Sequence, residues 1–113
     1  SKIVIKSLKV HHGSIKSICY IINDKCAYAP DVNYIESKDL RYLKNLKYFI
    51  VDCLRYNFHP THFNLDDVLK LISKLKPKKS ILTNLSNEID YNEIKKKLPK
   101  NVIPAHDGLT ILI

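Results

Sequence analysis

The stretch that most constrains the fold runs from Tyr48 to Leu75. It opens on an apolar run, Tyr48 to Val51, continues through Asp52-Cys53-Leu54-Arg55-Tyr56-Asn57-Phe58-His59-Pro60-Thr61-His62-Phe63-Asn64, and passes into an amphipathic segment from Leu65. The apolar run has the length of a buried strand. Leu65, Val68, Leu69, Ile72 and Leu75 fall on one helical stripe, Asn64 can cap it, and Asp66 and Asp67 suit the positive end of its dipole. Arg55, His59 and His62 then lie on a loop at the end of a strand, where open α/β sheets bind ligands.

The same reading extends along the chain. Residues 2 to 10 and 14 to 22 read as strands separated by His11-His12-Gly13, and Asn23-Asp24-Lys25 as a hairpin turn into a strand over Cys26 to Ala29. Ile35, Leu40, Leu43 and Leu46 predict a helix over 37–46, and Pro77 ends the helix that starts at Asn64. Ser80 to Thr83 reads as a strand and Tyr91 to Leu98 as a last helix. Val102 to Pro104 pairs with Leu109 to Ile113 as a closing hairpin around His106-Asp107-Gly108. Antiparallel hairpins followed by alternating strands and helices predict an α/β (α+β) domain with one mixed sheet. A chain of 113 residues without repeat or linker reads as one domain, 1–113.

Composition narrows the function classes. The formal net charge is +8, which suits an anionic partner, but every basic residue except Arg41 and Arg55 is lysine and the chain is rich in Ile, Asn and Tyr. An AT-rich coding sequence accounts for most of that charge, and no basic stripe is interleaved with aromatics, so nucleic acid is not the expected partner. No apolar run approaches the ~20 residues of a membrane span, and the start of the chain lacks the pattern of a secretory signal. Cys19, Cys26 and Cys53 are odd in number, form no Cys-x-x-Cys pair and read as reduced, buried core residues. The expected location is the cytoplasm.

Polar residues able to do chemistry recur at strand ends: His12, Asp31, Asp52, His59, His62 and Asp107. Imidazole and carboxylate both donate to zinc or manganese, so His12 and Asp31 can supply two ligands. Two ligands do not make a site, and an aspartate placed like Asp31 is more often a turn residue or cap. His62 can act as a general acid or base, with Arg55 beside it as a cation able to fork onto a phosphate. The bland reading is that His59 and His62 stiffen a proline-containing loop. His106, before Asp-Gly, is more simply a turn residue than a ligand.

Six motifs in order, His12-Gly13, Tyr28-Ala29-Pro30-Asp31, Asp52-Cys53-Leu54-Arg55, His59-Pro60-Thr61-His62-Phe63, Leu82-Thr83-Asn84-Leu85-Ser86 and Pro104-Ala105-His106-Asp107-Gly108, resemble the C-terminal half of a metallo-β-lactamase-fold phosphodiesterase. The similar branch contains phosphoribosyl cyclic phosphodiesterases and is related to tRNA 3′-processing nucleases. The resemblance implies half of an αβ/βα sandwich, with helices on one face of the sheet. It implies zinc or manganese held by His12 and the bridging Asp31, His62 near the scissile phosphate in substrate binding or proton transfer, and Arg55 and His59 on the substrate side. Asn84 stands where the family has a metal-ligand histidine, and a neutral amide is the poorer ligand. The family's His-x-His-x-Asp-His motif is not in these 113 residues. The expectation is therefore a truncated or split phosphodiesterase-like protein, inactive alone, that holds either zinc or manganese or no metal. Its exposed apolar face is expected to be covered by a second copy or by a separately encoded N-terminal half, and its substrate, if it is active, to be a small phosphodiester.

Overall fold

The computed structural model describes residues 2–113 and contains one six-stranded sheet in simple sequence order. The strands are β1 (Ile5–His12), β2 (Ile15–Ile22), β3 (Cys26–Ala29), β4 (Tyr48–Asp52), β5 (Lys79–Thr83) and β6 (Val102–Pro104). β1 to β3 pair antiparallel, and β3 to β6 pair parallel, so the sheet is mixed. A 3₁₀ helix (Ser37–Leu43) links β3 to β4, α1 (Leu65–Leu75) links β4 to β5, and α2 (Tyr91–Lys97) links β5 to β6. Parallel strands laid down in order with crossovers of the usual right hand place all the connections on one face.

The core forms between that face and the connections. Val10, Cys19, Phe49, Val51 and Leu82 from the strands cluster with Leu43 of the 3₁₀ helix, Val68, Ile72 and Leu75 of α1, and Ile94 of α2. Each large aliphatic or aromatic side chain so buried contributes about 1.5–3 kcal/mol relative to exposure. All three cysteines are free and buried, and burial pushes the Cys19 and Cys53 thiols up to about 12.

The opposite face is apolar as well. Tyr20, Tyr28, Ile50, Ile81 and Ile103 occupy partnered positions across five strands. The row is closed near Ile81, which is 3% exposed, and open toward β1 to β3, where Ile5, Ile18, Tyr20 and Tyr28 are each at least 40% exposed.

Three expectations need correction. His11 and His12 belong to β1, and the turn falls on Gly13 and Ser14, because β1 and β2 pair as far as His12 with Ile15. The helix expected over 37–46 is the shorter 3₁₀ helix: Leu40, Leu43 and Leu46 repeat every three residues, the 3₁₀ period, and the chain leaves it at Lys44, which is extended, so Leu46 lies outside it. Leu109 to Ile113 is not a strand. Its first amide turns back onto the His106 carbonyl, and Pro104 has no N–H to offer a hairpin partner.

Candidate metal centre

Topology brings the strand-end residues to one edge. With β2 antiparallel to both β1 and β3, β1 runs in the direction of the parallel strands, so His12 shares an edge with Asp31, Asp52, Asn84 and His106. Backbone hydrogen bonds then fix the loops against one another. The His11 carbonyl accepts from Asn33 N–H at 2.9 Å, Val32 O from Phe63 N–H at 2.8 Å, and Phe63 O from Leu54 N–H at 3.0 Å. The loop after β3 is thereby pinned between the end of β1 and the segment holding His62.

His12, Asp31 and His62 come together there, each half-buried, with one potential ligand atom from each lying within 4.8 Å of the others. The two imidazoles are prepared in the same way. His12 Nδ1–H donates to the Thr61 carbonyl at 2.7 Å, and His62 Nδ1–H donates to Asp52 Oδ2 at 2.5 Å. Each Nδ1 carries the proton, which leaves the Nε2 lone pair free, the arrangement by which metal-bound histidines are oriented. A carboxylate and two such imidazoles fit a zinc- or manganese-class ion.

Asp52 is fully buried and holds this arrangement from behind. Besides His62 it accepts from Val32 N–H at 3.1 Å and from Asn84 Nδ2 at 3.3 Å. Burial pushes its carboxyl above the usual carboxylate range, and these three donors pull in the opposite direction. His59 packs edge-on to His62 with ring centroids 5.1 Å apart, and its Nδ1 accepts from Thr61 N–H at 3.1 Å. Partial burial and then the Arg55 cation lower its basicity. Arg55 turns one guanidinium nitrogen onto the Phe58 carbonyl at 2.8 Å, bracing the loop, while its Nε is buried without a partner.

The structure thus gathers His12, Asp31 and His62, with His59 beside them. Asn84 touches the site only through Asp52, in a left-handed backbone conformation at φ 60°. His106 is exposed, its Nδ1 bonded to the Asp107 carbonyl at 3.0 Å, and it lines an open cavity together with Asn84. His11, the neighbour of His12 in sequence, is taken by Glu36 at 2.8 Å. Asp52 and Thr61 are the working residues that sequence reasoning did not assign. Asp52 was visible as a polar residue ending an apolar strand, whereas a backbone carbonyl leaves no sequence signal.

The mixed sheet with its donor-lined edge has the metallo-β-lactamase fold, and comparison with known proteins agrees. Residues 1–83 match the model of the β-lactamase superfamily domain, and the chain belongs to that family. Among solved structures, a diphosphatase of the PhnP family is 30% identical with a TM-score of 0.92, covering 96% of this chain and 43% of its own. The metallo-β-lactamase-fold protein YhfI from Bacillus subtilis is 18% identical (TM-score 0.78, covering 95% and 48%). The short form of human tRNase Z is 14% identical (TM-score 0.75, covering 98% and 42%). The last two show the fold alone. This chain spans less than half the length of each of the three. No curated protein matches.

Proposed function

We propose that these 113 residues form one wall of a divalent-metal site for phosphoester hydrolysis and do not complete that site by themselves. The observation that carries the reading is the convergence of His12, Asp31 and His62 with both Nδ1 atoms already bonded to acceptors. His12 and Asp31 would hold the ion. Held there, a divalent ion would supply Lewis-acid polarisation of a phosphoryl oxygen. Asp52 and Thr61 keep the imidazoles aimed, and Arg55 and His59 form the flank that a phosphate approaches, with the +8 net charge favouring that approach.

A clamp of two metals about 3.5–4 Å apart needs more donors than three. Asn84 adds none, since its amide is directed at Asp52. A second ion would therefore need donors from polypeptide outside these residues. A second reading, a subunit of a split phosphodiesterase joined by a separately encoded N-terminal half, is favoured by the open apolar face around Tyr20 and Tyr28. The substrate class is a small phosphodiester. No helix among the described residues is long and apolar enough to cross a membrane, and three free cysteines support a reducing, cytoplasmic setting.

The test is hydrolysis of bis(p-nitrophenyl) phosphate with zinc or manganese. The chain alone should not exceed the rate with metal ion alone, and Asn84→His should not change that. Turnover by the unaltered chain that disappears in His12→Ala would show that its own residues suffice.

A further inference from the structure

The donors at this edge raise a question of identity that the motif pattern answers differently from the geometry. Placed beside the scissile phosphate, His62 would need room for a phosphoryl group between its ring and the metal ligands. Its ring instead lies edge-on to that of His12 with centroids 4.7 Å apart, which is direct contact. Its Nδ1 is bonded to a buried carboxylate, which leaves Nε2 as its free donor, and one ring nitrogen of His62 lies within 4.8 Å of ligand atoms of both His12 and Asp31.

We propose that His62 is itself a metal ligand in this chain, forming with His12 and Asp31 a site for one divalent ion, while Asn84 is diverted from coordination to hold Asp52. The inference rests on the reading above that this edge takes a divalent ion. Donors bound to a tetrahedral zinc at ~2.0–2.1 Å stand about 3.3 Å apart. The three atoms here lie within 4.8 Å of one another, at most about 1.5 Å wider than that spacing, a gap that binding of the ion would have to close. Asp31 takes part in none of the four ion pairs among the described residues.

Asn84 explains why the ligand set has shifted. Its Nδ2 donates to Asp52 Oδ1, while Asp52 Oδ2 takes the His62 Nδ1 proton. A carboxylate bonded in this way to the far nitrogen of a ligating imidazole orients the ring and raises its basicity as a ligand. The asparagine therefore acts as a positioning residue at one remove. With His62 on the ion, the imidazole that the motif pattern assigns to proton transfer is no longer free for it, which fits a chain that does not turn over by itself.

The experiment is metal binding rather than activity. After equilibrium dialysis against zinc, the purified chain should hold one ion. His62→Ala should weaken binding by at least about tenfold, and Asn84→Ala, which removes a positioning residue but no ligand, should weaken it less and still retain one ion per chain. Because His62→Ala removes a partner of buried Asp52 and can unfold the chain, the unaltered protein loaded with cobalt(II) supplies the second readout. Proton NMR should show two exchangeable, paramagnetically shifted imidazole N–H signals, the Nδ1 protons of His12 and His62. One such signal, or undiminished binding in a folded His62→Ala variant, overturns the role of His62 while leaving a metal at the edge. Binding of no ion overturns both.

Discussion

At Gly13 the chain turns with φ +65°, and a Cβ there would lie 2.5 Å from Thr61 Cγ2 and 3.3 Å from Thr61 Cβ. Thr61 is the residue whose carbonyl orients His12, so the glycine is needed for the approach as well as for the turn. Gly13→Ala should lower the unfolding free energy by about 2 kcal/mol and weaken zinc binding, measured by urea denaturation and dialysis. Asp52 makes a different prediction. Burial raises its folded pKa above the ordinary 3.8, so between those two values the native state binds more protons than the unfolded chain. Stability should therefore fall as pH rises through that window, and Asp52→Asn should remove the step from a series of urea midpoints. An unchanged profile in the variant would show that Asp52 is not its source. At this scale the residue types at the site were legible, since His12, Asp31 and His62 end strands or occupy the loop after one. Their partnerships were not, because Asp52 and His62 meet only when the loop between them closes.

Regular elements were read most securely where two signals agreed. In α1 the apolar stripe, the cap and the terminator coincide: Asn64 Oδ1 accepts from Asp67 N–H at 2.9 Å, and Lys76 ends the helix in a left-handed conformation. Asn64→Ala should cost about 1 kcal/mol, read from thermal unfolding monitored by circular dichroism. Loss of Asn64 must also loosen the loop, since Leu65 N–H bonds to the Arg55 carbonyl at 3.1 Å on the far side of His59 and His62. A negligible change would mean that the cap does not help anchor the site. Where only one signal existed the reading failed. Leucines spaced by three specified contacts without specifying an α-helix, and the apolar tail after Gly108 lacked a pairing partner.

For the whole molecule the decisive asymmetry is between the two faces of the sheet. Alternation in β2 places Cys19 and Ile21 in the core and Ile18 and Tyr20 on the outside, so one strand displays both surfaces. That alternation is legible in the sequence, Ile15, Ser17 and Cys19 against Lys16, Ile18 and Tyr20, whereas how far neighbouring strands extend it depends on register. A contiguous apolar surface of this kind is normally covered. Light scattering at high micromolar concentration should show association of the chain with itself or with a co-purifying half-fold, and Tyr20→Lys with Tyr28→Lys should abolish it. A clean monomer before substitution would contradict this. The proposed single divalent ion sits where one edge of the sheet gathers His12, Asp31 and His62. Crystals grown with zinc and measured at the zinc absorption edge would locate it. One anomalous peak bonded to His12, Asp31 and His62 is expected, with Asn84 outside the coordination sphere. No peak, or a peak whose ligands leave out His62, would contradict it.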